Sequence, residues 1–170
     1  MENQALLQMF NFSRSNTLAG LKATTEEQAL QVPEGFNNSI LWNLGHVYLA
    51  VEGIMARLDK KDPEVPEEYN DFFGHATSPS TWEKEPPALT ELADDLESQI
   101  ERVEMLYGDK LDEKLAEPFK LNERTVFETY GEVLNFMIWH EGYHLGTING
   151  IKRAIGIKDL WQPLETQESK

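Results

Sequence analysis

Residues 125–156 read TVFETYGEVLNFMIWHEGYHLGTINGIKRAIG. Val126, Tyr130, Val133, Met137, His140, His144, Ile148, Ile151 and Ile155 recur at three- and four-residue intervals. That spacing predicts one long helix from about Thr125 to Ile155, with Gly156 placed to end it. The stripe is apolar apart from Tyr130 and the two histidines. At i, i+4 the rings of His140 and His144 lie one above the other on a helix face. Burying an unpaired imidazole costs on the order of 1–3 kcal/mol. A shared cation would satisfy both.

Three more segments carry helical periodicity. The first runs from about Asn3 to Lys22, with Leu6, Phe10, Thr17 and Leu21 on one face. A short turn at Glu26–Leu30 follows, and Val32-Pro33-Glu34-Gly35 breaks the chain. Asn37-Asn38-Ser39 supplies N-cap candidates for a second helix reaching about Leu58. Ile40, Leu44, Val47, Val51, Ile54 and Leu58 form its stripe, and Trp42, Leu49 and Ala50 make a second arc apolar. A helix apolar over most of its circumference is usually deeply buried. The third helix starts at Pro87 or Ala88, carries Leu89, Leu92, Ala93, Leu96, Ile100, Val103 and Leu106, and stops at Gly108.

Between the second and third helices, Asp59 to Pro87 holds five of the eight prolines. It reads as a long crossover loop with one helical turn near Glu67–Phe73, a form often used as a cover over a site. Asp109–Arg124 reads as a connector without a strand pattern, Phe119–Leu121 being briefly extended. The expected fold is all-α: a four-helix bundle of one domain spanning residues 1–170, with the long crossover between helices 2 and 3.

The chain has 170 residues, no cysteine and a formal charge of -15. Without cysteine there is no disulfide, no thiolate ligand and no thiol nucleophile of the protein's own. The acidity disfavours nucleic acid or an anionic membrane as a partner. No early stretch reads as a secretory signal, and no uncharged apolar run reaches the ~18 residues of a membrane span. The expectation is a soluble cytoplasmic protein acting on a small molecule.

Only four histidines occur: His46, His75, His140 and His144. His46 sits on the nearly all-apolar second helix, with Trp42, Leu49, Ala50 and Gly53 nearby. An inward-facing histidine pair on another helix gives it partners. Three histidines with water in the remaining position make an open, reactive metal site, whereas a structural zinc wants four protein ligands. His75, in the crossover loop, is the spare. Bound metal should leave as pH falls through the histidine range, because imidazole ligands must be deprotonated.

His140-Glu141-Gly142-Tyr143-His144 also matches the H-E-x-x-H signature of zinc peptidases. An H-x-x-G-x-x-H extension would need glycine at 147 and histidine at 150, where the chain has Thr147 and Gly150. Glu165 and Glu168 lie in a polar tail with Pro163 rather than on a following helix, and no sheet aligns a peptide. The peptidase match is accidental. Glu141 lies about 60° around the helix from His144 at ~100° per residue. It is a candidate general base or orienting carboxylate, or a rim carboxylate paired with Arg or Lys.

The histidine in "NLGHVYLA" (residues 43–50), followed after a long gap by "HEGYHLGTING" (residues 140–150), resembles the DinB-like superfamily of damage-inducible, metal-binding four-helix proteins. Members often carry Gly-Gln-Ile after the second histidine of the pair, where this chain has Gly146-Thr147-Ile148. The resemblance implies a divalent metal on His46, His140 and His144, zinc by default with nickel, iron or manganese as alternatives. It also implies a homodimer. Some relatives are thiol-dependent transferases or isomerases using bacillithiol or mycothiol as the low-molecular-weight thiol. The functional readings are therefore a metal-dependent thiol S-transferase, a metal-dependent hydrolase with Glu141 as base, or a non-catalytic metal-binding stress protein.

Overall fold

A computed structural model describes residues 2–162. The elements are α1 (Glu2–Lys22), α2 (Glu26–Leu30), α3 (Ile40–Asp59), α4 (Tyr69–Phe73), a 3₁₀ turn (Pro79–Thr81), α5 (Leu89–Tyr107), β1 (Lys114–Lys120), β2 (Val126–Thr129) and α6 (Tyr130–Ala154). The chain is mostly helical, as the periodicities predict. α1 packs against α5 and α6, and α3 packs against the same two helices. Among the described residues no helix is long and apolar enough to cross a membrane.

Local chemistry sets the helix ends. Ser39 caps α3, its hydroxyl accepting from the Trp42 amide at 3.1 Å. Thr25 and Gln28 form a capping box on α2. Glu26 then reaches across to accept the first amide of α5, Leu89 N, at 2.9 Å. Gly156, with φ of 85°, turns the chain away after α6.

Two expectations fail between α5 and α6. Asp109–Arg124 is not a bare connector, and the last helix does not begin at Thr125. Lys114–Lys120 and Val126–Thr129 pair as an antiparallel hairpin, with Phe119 opposite Phe127 and an irregularity between Lys114 and Phe119. Val126 is therefore an exposed strand residue rather than part of the helical stripe. The buried residues of β1 are Leu115 and Phe119, and a spacing of four satisfies a strand period and a helix period alike. Pro118 further disguises the strand. The boundary with α6 is a capping box, in which Thr129 accepts from Glu132 N and the Glu132 carboxylate accepts from Thr129 N. The segment from Asp59 to Pro87 is also more structured than one helical turn, since it holds α4 and the 3₁₀ turn.

The core falls into two apolar clusters. One gathers Leu18, Leu44, Phe73, Leu92, Leu96, Ile148 and Ile151 with their neighbours. The other gathers Phe10, Val51, Met55, Val103, Val133 and Met137. Between them lies a buried polar layer. Arg14, fully buried, gives Nε and Nη2 to the Glu141 carboxylate at 2.8 and 3.1 Å, and Nη1 to the Leu96 carbonyl. Its Nη2 also reaches Gln99 Oε1 at 2.9 Å, and Gln99 Nε2 passes the network on to Glu52 at 2.8 Å. Arg102 closes the far end on Glu52. A fully satisfied buried network of this kind fixes register between helices. The histidines of α6 sit at the same level, between Met137 and Ile148 of the two clusters.

Candidate metal centre

His46 is brought to the site by the packing of α3 on the segment after α4. A methyl group at position 45 would fall inside the Phe73 ring, so only glycine allows this approach. With Phe73 seated there, its carbonyl oxygen lies 2.7 Å from His46 Nδ1. A carbonyl only accepts, so Nδ1 carries the proton and Nε2 presents a lone pair. Trp42, one turn earlier, stacks on the His46 ring with centroids 4.7 Å apart and planes 8° apart. The Trp42 indole N–H is in turn held by Thr77 Oγ1 at 2.9 Å.

His144 receives the same treatment from α3. Its Nδ1 lies 2.8 Å from Asn43 Oδ1. The Asn43 amide is oriented by Nδ2, which donates to the Ser39 carbonyl at 2.7 Å, so the oxygen faces the imidazole. His144 is thus also fixed with Nε2 free. Such partners hold ring orientation and tautomer and raise the basicity of the ligating nitrogen.

The three rings converge. Centroids are 5.3 Å apart for His46–His140, 5.0 Å for His46–His144 and 4.6 Å for His140–His144. One ligand nitrogen from each lies within 4.8 Å of the others. Burial pushes the His140 pKa down to about 4, with His46 adding repulsion. Burial pushes His144 down to about 3, helped by His140 and His46. Burial also lowers His46, against the Phe73 carbonyl that favours its charged form. At neutral pH all three imidazoles are therefore neutral donors. Among the described residues this is the group able to hold a metal ion, and it contains no carboxylate. Three neutral nitrogens with no fourth protein ligand suit a divalent transition metal that keeps open positions.

The other candidates lie elsewhere. His75 is exposed and outside the group. Pro163, Glu165 and Glu168 lie outside the described residues. Glu141 is 1% exposed and faces α1, where Thr17 Oγ1 donates to its Oε1 at 2.8 Å beside the paired Arg14 guanidinium. Both carboxylate oxygens are thereby engaged away from the histidines.

The sequence that builds this centre matches a family model. Residues 9–148 match that of the DinB superfamily, a span that takes in all three histidines and the Arg14–Glu141 pair. The chain belongs to the DinB superfamily. No curated protein matches it. In this DinB-superfamily chain, Trp42 was expected beside His46 from the sequence, whereas two other supports of the centre, the Phe73 carbonyl and Asn43, were not. A backbone carbonyl leaves no trace in a sequence. Asn43 did leave one, as the single amide among apolar residues in the first turn of α3.

Proposed function

We propose that the chain is a metal-dependent enzyme acting on a small molecule, with thiol S-transfer as its reaction. In this reading α1, α3, α5 and α6 form a four-helix bundle, the protein acts in the cytoplasm as a homodimer, and zinc occupies the site, with nickel, iron or manganese as alternatives. The observation that carries it is the pair of Nδ1 hydrogen bonds, His46 to Phe73 O and His144 to Asn43 Oδ1, which leave the Nε2 lone pairs free beside His140. When bound, a divalent ion supplies Lewis acidity that lowers the pKa of a thiol or water at its open positions.

The chain's own residues supply orientation and exclusion of water. Trp42 walls one face of His46. The cysteine-free sequence means the sulfur comes from an external low-molecular-weight thiol such as bacillithiol or mycothiol. In the transfer, the thiol proton leaves to solvent and its sulfur bonds to an electrophilic carbon of the substrate. The leaving group departs from that carbon with its electron pair. The hydrolase reading with Glu141 as base is the weaker one, because Glu141 has both oxygens engaged by Arg14 and Thr17. Its position supports a holding role. A stress protein whose ion only stabilises the fold would be better served by four protein ligands.

The test mixes zinc-loaded protein with bacillithiol or cysteine and monochlorobimane, and follows the fluorescent thioether. A rate above that of His144→Ala supports transfer. A rate no higher than that of His144→Ala with either thiol rejects it, and zinc retained without turnover on any electrophile favours the non-catalytic reading.

A further inference from the structure

A file of aromatic rings runs along α6 to the histidines. Phe127 of β2 stacks on Phe136 with centroids 5.5 Å apart, Phe136 on Trp139 at 5.9 Å, and Trp139 on Tyr143 at 5.8 Å, the planes within 30° of parallel at each step. The file meets the metal group at two points. Phe136 lies 5.9 Å from His140, and Tyr143 meets His144 edge-on at 5.5 Å.

Phe127 packs against the core, but the outer two rings do not. Trp139 and Tyr143 are 61% and 62% exposed. With His140 as zero and ~100° per residue, Phe136, Tyr143 and Trp139 fall near -40°, -60° and -100°, while Glu141 lies near +100° toward α1. From Phe136 to Thr147 that outer arc carries no charged side chain. Gly142 and Gly146, beside the two exposed rings, would have nothing within 4 Å of an added Cβ. The surface next to the rings is therefore open. Large rigid rings left in water beside a reactive centre are the usual anchors of binding, because they offer contact area at little entropic cost.

We propose that Phe136, Trp139 and Tyr143 form the docking wall for a planar aromatic group on the small molecule whose donor atom reaches the metal. The substrate class is then an aryl-bearing compound with a metal-binding head. The inference rests on the open metal centre proposed above.

Two hydroxamates that share a metal-binding head test it. Acetohydroxamate and benzohydroxamate are titrated calorimetrically into the full-length zinc-loaded protein and its variants. The expected result is that benzohydroxamate binds about tenfold tighter, a stacking contribution of ordinary size. Trp139→Ala and Tyr143→Ala should bring the two affinities together while leaving acetohydroxamate unchanged, and Trp139→Phe should keep most of the preference. A preference that survives both alanine variants overturns the proposal. So does a loss of the preference that comes with conversion of a dimer to a monomer in sedimentation, which would make the file a subunit contact. If neither hydroxamate binds, the open metal centre itself fails and the wall falls with it. Binding of both without a ring preference removes the wall alone.

Discussion

The contact between Arg14 and Glu141 makes the sharpest demand on the fold. The guanidinium is fully buried and the carboxylate is 1% exposed, and they meet through two hydrogen bonds of 2.8 and 3.1 Å. Arg14→Met leaves a buried carboxylate with Thr17 as its remaining donor. Glu141→Leu leaves a buried cation held by the Leu96 carbonyl and Gln99 alone. Removing one partner of a buried pair costs roughly 3–5 kcal/mol, whereas replacing both by apolar groups of similar volume is often neutral or stabilising. Each single variant should therefore lose roughly 3–5 kcal/mol. The double variant Arg14→Met/Glu141→Leu should lie within about 2 kcal/mol of the parent, giving a coupling energy of several kcal/mol. Since a domain of this size has only about 5–15 kcal/mol in total, the single variants will be visibly fragile. Urea unfolding of the metal-free chain at pH 7, with the m-value checked for constancy, measures all three. Zinc affinity of the double variant then separates holding from chemistry. The reasoning is refuted if the single variants cost under about 1 kcal/mol. It is equally refuted if Glu141→Gln keeps full stability and metal but loses all turnover, which would return Glu141 to the role of a base.

The histidine pKa values give a pH prediction with a definite sign. His140 and His144 titrate near 4 and 3 in the fold against about 6.5 in the unfolded chain. The unfolded state thus binds more protons in that interval, and stability of the metal-free protein should rise with pH from about 4 to 6.5 and flatten above it. His140→Phe should reduce the slope in a pH series of thermal melts, and an unchanged slope contradicts the assignment. For the same reason zinc, followed by elemental analysis after dialysis, should be held below pH 6 rather than released through the ordinary histidine range. Asn43→Ala should weaken zinc binding about 10–100-fold, the usual cost of losing a partner behind a metal ligand, and a chelator competition reads it directly. Gly45→Ala should lower stability by about 1–3 kcal/mol, as overpacking does. It should also weaken zinc binding, because Phe73 must move and take its carbonyl from His46; a loss of stability alone would uncouple the two.

Much of this is legible in the sequence. α3 and α6 announce themselves because their apolar positions repeat at helical spacing, and the histidines interrupt those stripes at positions that must turn inward. The family resemblance then named the same three residues. The hairpin was not legible, for a physical reason. Leu115 and Phe119 are spaced by four, and Pro118 and the charged residues around them suppress strand character, so the pairing depends on Phe127 and the Thr129–Glu132 box across the turn. Which reading of Glu141 holds, base, orienting carboxylate or carboxylate paired with Arg or Lys, was not legible for a related reason. A helical wheel gives the angle of a side chain but not which neighbour fills that sector, and the neighbour here is Arg14, more than 120 residues earlier.

The arrangement around α6 explains why one helix carries three kinds of chemistry without conflict. Glu141 and Lys152 point toward α1, where Lys152 Nζ donates to the carbonyls of Gly20 and Leu160. His140 and His144 point toward α3, where Asn43, Trp42 and the Phe73 carbonyl arrange their environment. Phe136, Trp139 and Tyr143 point outward. The α1 side is rigid because its charged groups are buried and paired, and that rigidity fixes the rotation of α6 about its axis. A rotation of only ~20–30°, a fraction of the ~100° between successive residues, would move the His140 and His144 nitrogens away from His46 and break the Arg14 contact at once. Metal affinity and the buried ion pair should therefore rise and fall together across variants of α1. A core substitution at Leu18, which leaves the pair intact, should lower stability without loosening the metal.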